Sequence, residues 1–208
     1  MKFYYPIFGL FLIFILWQAY ERKKSDRKNR EASDSFWQKE ADANSVRKQS
    51  LDNEHYITIP ENLLINNLWK NHPEDETLLS LSDTLASLMD KRILNLTGMT
   101  STDIKLKYGV ANLNEVTTYD DNFTLMAKTI AEYGQKLMEL ENTNAAILVF
   151  QFGIDSLTDI SSNYKYLAQL YKANGQPEKI DSLIDTASKL DSLMKNSIIK
   201  ALNEIKEN

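Results

Sequence analysis

A pattern of residue sizes that returns after 34 positions is the strongest constraint this chain places on its fold. Tyr164, Leu167, Ala168, Tyr171, Gly175, Ile180, Ile184 and Ala187 have counterparts 34 residues earlier in Ile130, Tyr133, Gly134, Leu137, Glu141, Ala146, Phe150 and Gly153. Six of the eight keep their size class. Glu141 stands where the later copy has Gly, and Ala146 where it has Ile. Apolar residues three and four apart describe one buried face of a helix, and each copy has two such runs separated by a turn. Small Gly134 or Ala168 lets a paired helix approach, while its bulky neighbour fills the groove beside it. Such a pair leaves one face apolar, which the next pair must cover. A further step gives Ile198, Ala201, Leu202 and Ile205, half a copy suited to closing the stack. Asn196, Lys200, Asn203 and Lys206 would face solvent from that last helix.

These positions over residues 122–206 resemble the tetratricopeptide repeat. The match is incomplete, because neither copy has the Pro that often closes a repeat. The resemblance implies an all-α hairpin array with a capping C-terminal helix. It also implies a protein or peptide partner, held in a concave groove lined by the first helix of each pair. Carried over by position, the lining residues are Lys128, Ala131, Gln135, Met138 and Glu139, then Ser162, Lys165, Gln169, Lys172 and Ala173. Capture of a peptide's terminal carboxylate needs a matched set of Lys, Asn and Arg, of which only Lys165 and Lys172 are suggestive.

The N-terminus has a different character. From Phe3 to Tyr20 there is no charge, and eight of the 21 aromatic residues of the chain lie in the first 20 positions. As a helix this stretch is about 27 Å long, against a bilayer core of about 30 Å. Tyr4 and Tyr5 at one end, with Trp17 and Tyr20 at the other, suit the two interfaces. Trp17-Gln18-Ala19-Tyr20 lacks the small-residue pattern of a signal-peptide cleavage site. The expectation is an uncleaved transmembrane anchor over residues 1–20, with the lipid bilayer as partner through residues 3–20.

Residues 21–30 hold six basic side chains: Arg22, Lys23, Lys24, Arg27, Lys28 and Arg30. By the positive-inside rule they place the C-terminal bulk in the cytoplasm. The first reading of this collar is a topology determinant, and recognition of anionic lipid is the second. Residues 1–30 carry a net charge of +5 and the remainder −10. An acidic body repels phosphate, so nucleic acid is not an expected partner.

Residues 21–60 read as this collar followed by a polar stalk, in which Asp34 and Ser35 could cap a helix from Phe36 to about Gln49. His55–Ile59 alternates like a short extended segment stopped at Pro60. It has the shape of a groove ligand, although packing against Leu63 and Leu64 explains it more simply. Residues 61–121 read as irregular helices and 122–208 as the repeats and capping helix. Glu61–Trp69 suits a small helix, Glu74–Glu76 a helix start, and Leu78, Leu81, Leu85, Leu88 and Leu96 one buried face ending at Gly98. Thr102 or Asp103 would cap a helix ending at Gly109, and Asp120 or Asp121 the next long one. Phe36–Lys48, Tyr56–Pro60 and Ile93–Gly98 resemble stretches of an uncharacterised group of membrane-anchored proteins from low-GC Gram-positive bacteria. That resemblance supports the layout and adds no chemistry.

The composition argues against familiar chemistry. With no Cys there is no thiol nucleophile or thiolate ligand, and two His cannot build an all-His metal site. The six Gly never fall within ten residues of each other, which excludes Gly-rich phosphate loops. Glu178, Asp181 and Asp185 share a helix face, yet on an outer helix they read as solvated charge. Thr97–Asp103 is hydroxyl-rich and reads as a helix connection with a cap. The sequons at Asn95 and Asn122 have no role in a cytoplasmic domain. The expectation is a membrane-anchored adaptor or scaffold, with no catalysis, cofactor or metal. The competing readings are an envelope-facing assembly or secretion factor of reversed topology and, further off, a hydrolase with an unrecognised site.

Overall fold

The computed structural model describes residues 4–207, with side chains from Gly9 onward. Among these residues the chain is all-α, with nine α-helices, two single 3-10 turns and no strand. It forms two compact units, Met1–Gln49 with Thr100–Ala111, and Ser50–Met99 with Asn112–Asn208.

The first unit is dominated by helix α1 (Tyr4–Ser45), 42 residues without a break. The separate stalk helix expected from Phe36 is therefore the last part of α1. Neither Asp34 nor Ser35 caps it, because residues 10–59 contain no Gly or Pro to interrupt the ladder. Helix α4 (Ser101–Tyr108) lies against the C-terminal part of α1. Lys39 pairs with Asp103 at 2.7 Å, and the Glu40 carboxylate takes both the Lys105 ammonium and, at 2.7 Å, the Thr102 hydroxyl. The lysine beside Asp103 and the hydrogen bonds from Thr100 hold its carboxyl well below the usual carboxylate range. Thr100, rather than Thr102 or Asp103, is the N-cap. Its hydroxyl accepts from the Asp103 amide while the Asp103 carboxylate accepts from the Thr100 amide, a reciprocal box.

No helix among the described residues is long and apolar enough to cross a membrane. Residues 1–3 of the expected anchor lie outside the described residues, as do the side chains of residues 4–8. Within α1 the sequence from Ile7 to Leu16 is the most apolar part, about 15 Å long, and Tyr, Pro, Trp and Gln dilute its flanks.

The second unit begins with an extended stretch. Ile59 is fully buried, and the Ile57 amide donates to the Ile93 carbonyl at 2.9 Å. A 3-10 turn (Glu61–Leu63) and helix α2 (Ile65–Leu68) follow, then helix α3 (Glu76–Leu88) with Asp75 as its N-cap. Leu78, Leu85 and Leu88 of α3 are buried, and Leu81 is half-buried. Leu96 was expected on that same face but belongs to the extended segment after it. There its amide donates to the Asp120 carboxylate at 3.0 Å, and Asn122 donates to the Arg92 carbonyl at 2.9 Å. Burial pushes the Asp120 carboxyl up, opposed by that same amide. Asp120 is thus no helix cap. Helix α5 (Leu113–Glu139) starts seven residues earlier and carries Asp120 inside it.

Helices α6 (Thr143–Asp155), α7 (Ser161–Ala173), α8 (Lys179–Ser188) and α9 (Lys195–Glu207) complete the unit. The C-terminal half of α5 pairs with α6 and α7 pairs with α8, while α9 covers both α7 and α8. One continuous core runs from Ile59 through α3 to Leu202.

Candidate functional site

The two hairpins are built on the same scheme 34 residues apart. Ile130, Tyr133, Leu137, Ala146 and Phe150 are fully buried, as are Tyr164, Leu167, Ala168, Ile180 and Ala187; Tyr171 is buried and Ile184 is half-buried. A Cβ on Gly134 would stand 2.4 Å from Phe150 Cε1, so this glycine is what lets the Phe150 ring lie across α5. Gly153 gives similar access, with Ile130 Cγ2 at 2.8 Å from where a Cβ would be.

The turns match as well. Glu141 and Gly175 both adopt a left-handed backbone, with φ of 61° and 70°. Glu141 and Asn142 donate to the carbonyls of Met138 and Leu137; Gly175 and Gln176 donate to those of Lys172 and Tyr171, each partner again 34 positions on. These are paired helix-terminating bonds of one type, which normally call for Gly. The geometry is the same with Glu in one copy and Gly in the other.

The expected lining residues divide by environment. Lys128, Gln135 and Glu139 are exposed on α5, and Lys165 and Gln169 are exposed on α7. Gln135 reaches Glu139 at 3.4 Å. Ala131, Ser162 and Met138 are half-buried, Met138 against the core, and Ala173 is exposed. Lys172 is half-buried and donates to the Ile205 carbonyl at 2.8 Å, satisfying the end of α9. That bond leaves Lys165 as the more open of the two suggested carboxylate ligands. Beside them on α5, Lys136 pairs with Asp75 at 2.9 Å and ties α3 to this helix. The Leu78 amide, and after it Lys136, hold the Asp75 carboxyl below its ordinary value.

Among the described residues, no hydrogen bond or ring contact joins the segment Tyr56–Pro60 to the expected lining residues. Tyr56 packs edge-on against Tyr119 at 5.7 Å, with the Arg92 guanidinium 5.3 Å from its ring centre.

Sequence reasoning missed a second surface, where three loops meet. Asn95 donates to the Leu157 carbonyl at 3.1 Å, the Ser192 hydroxyl donates to Asp159, and the backbone of Gly98 lies close against Asp191. Exposed apolar side chains crown this end: Leu157 at φ 57°, Leu193 wholly in solvent, and Met194. A signal existed at Leu193, which falls outside the helical spacing of Leu190, Met194 and Ile198. Among the described residues no group of three or more acidic or His side chains is arranged to hold a metal ion.

No family model, curated protein or solved structure matches the chain.

Proposed function

We propose that this chain is a membrane-anchored interaction adaptor, in which residues 122–206 work as a tetratricopeptide-like array and bind a protein or peptide along the first helices of the two hairpins. One observation carries the reading. The residues that define the 34-residue pattern are buried apart from the turn positions and half-buried Ile184, while Lys128, Gln135, Glu139, Lys165 and Gln169 stay in water. A helical face kept polar and stacked beside its equivalent suits recognition rather than core formation.

The anchor is the second part of the proposal. Leu10 to Leu16 and Trp17 are between 44% and 69% exposed on all sides of α1. Surface of that kind on a single helix is unstable in water and needs a cover, which a bilayer supplies. The aromatic residues at both ends and the basic collar beyond Tyr20 support a span that begins near Phe3, with the body in the cytoplasm. Anchoring would concentrate the body near membrane-bound partners, so modest affinity suffices.

The test is a photo-crosslinking scan on the full chain in its native membranes. Crosslinkers at Gln135, Lys165 and Gln169 are expected to capture a shared protein, and crosslinkers at Asp181 and Asp185 on the outer helix are not. Equal capture from both faces would overturn the groove. A reporter fused to the C-terminus and active only outside the cytoplasm would reverse the topology.

A further inference from the structure

Half of the basic collar after the apolar stretch shares one face. Helix α1 continues through it without interruption, so residues 20–30 keep a fixed angular relation to one another. At 100° per residue, Lys23, Arg27 and Arg30 fall within one narrow arc, with Tyr20 on the same side and Lys24 at its margin. Tyr20, Lys23, Lys24, Asp26, Arg27 and Arg30 together line one shallow depression along the helix. The basic side chains among them are all exposed. The ion pair of Arg27 with Glu31 there, at 3.6 Å, joins two side chains that are at least 70% exposed. Such a contact contributes little and yields readily to another anion.

A topology determinant requires only a count of positive charges near the end of a span. It does not require them on one face, beside a tyrosine hydroxyl. A phosphodiester headgroup is met well by that arrangement. Guanidinium groups bind phosphate oxygens in pairs, ammonium groups add point charge, and the tyrosine ring sits at the level of the glycerol backbone. Lys23 lies about 5 Å along the axis from Tyr20 and Arg30 about 15 Å, which keeps the whole stripe within headgroup reach of a tilted helix.

We infer that the Lys23/Arg27/Arg30 face of α1 is a docking surface for anionic phospholipid headgroups, on which α1 leans as it leaves the bilayer. The inference rests on the membrane anchor proposed above and adds the identity of the lipid. The face is cationic and exposed, which complements the anionic surface of a membrane leaflet.

Trp17 stands one turn before Tyr20 and reports on lipid next to the collar. The full chain carrying Trp37→Phe and Trp69→Phe is reconstituted into vesicles, and quenching of Trp17 by brominated phosphatidylglycerol is compared with quenching by brominated phosphatidylcholine. Phosphatidylglycerol is expected to be preferred by about fivefold or more, what one basic side chain contributes near an anionic surface. Lys23→Gln with Arg27→Gln and Arg30→Gln should bring the preference close to one. Lys23→Arg with Arg27→Lys and Arg30→Lys should keep it, and Arg22→Gln with Lys28→Gln, off the arc, should lower it far less. Equal quenching by both lipids in the unsubstituted collar, or a preference untouched by the triple Gln change, would overturn the inference while leaving the anchor intact. No quenching by either lipid would overturn the anchor itself. Loss of the preference on adding inorganic phosphate at matched ionic strength would mean a site for free phosphate, which also overturns it.

Discussion

The two hairpins reach the same backbone with different residues, and the differences show which parts of a repeat are fixed by space and which by conformation. In the first, α5 and α6 close over Gly134 with the Phe150 ring against it. In the second, Ala168 and Ile184 take those positions, a larger small residue facing a smaller large one. Volume is shared between partners, so either split fills the gap. The turn does not allow such exchange. Gly175 adopts φ 70° at no steric cost, whereas Glu141 holds φ 61° with a side chain attached. The first hairpin is thus the more strained of the two at its turn.

Substitutions at the matched positions sharpen or break this contrast. Phe150→Ala should have the largest effect, about 3–5 kcal/mol of stability lost in thermal or denaturant unfolding of the full chain in mild detergent. Ile184→Ala, at the half-buried equivalent, should cost clearly less. Equal losses would mean that the two interfaces are not packed as described. Next, Gly134→Ala should cost about 1–3 kcal/mol by pressing on the Phe150 ring, and Phe150→Leu in the same chain should recover part of the loss. A tolerated Gly134→Ala with no help from Phe150→Leu would deny the close approach.

The buried tyrosines give a pH-dependent comparison. Burial pushes both Tyr133 and Tyr164 up to about 12, helped at Tyr164 by the charges of Asp159 and Asp155. An unfolded tyrosine titrates near 10. The folded state therefore keeps its protons where the unfolded state has lost them. The stability this contributes is complete below pH 10 and is lost as the pH rises toward 12. Unfolding followed across this range should show a fall that Tyr133→Phe and Tyr164→Phe each reduce. At neutral pH the two changes should differ. Tyr133 donates to the Leu63 carbonyl at 3.1 Å, and losing that bond costs about 1 kcal/mol. The Tyr164 hydroxyl has no hydrogen-bond partner among the described residues, so its removal should be neutral or better.

What could be read from sequence follows the same division. Residues 122–206 were legible because hairpin packing is local, and a small residue at 134 or 168 with an apolar run around it has few other uses. The start of α5 was not. Asp120 and Asp121 look like caps, but the Asp120 carboxylate is taken by the Leu96 amide 24 residues away, a partner no local pattern announces. Leu96 itself continues the spacing of α3 by coincidence, since the helix ends at Leu88. The unbroken α1 was obscured by Asp34 and Ser35, good caps that the helix simply passes through. For the proposed lining face, the exposure of Lys165 and Gln169 followed from the register. The engagement of Lys172 by the end of α9 required the third dimension.

The equivalence of the two hairpins is tested most directly by exchanging their turn residues and measuring unfolding free energy. Glu141→Gly should stabilise the chain by about 1 kcal/mol, because it relieves a left-handed residue, and Gly175→Glu should destabilise it by a similar amount. Opposite signs of like size are the result expected of two copies of one unit. A Glu141→Gly change that destabilises, or a Gly175→Glu change without effect, would contradict it.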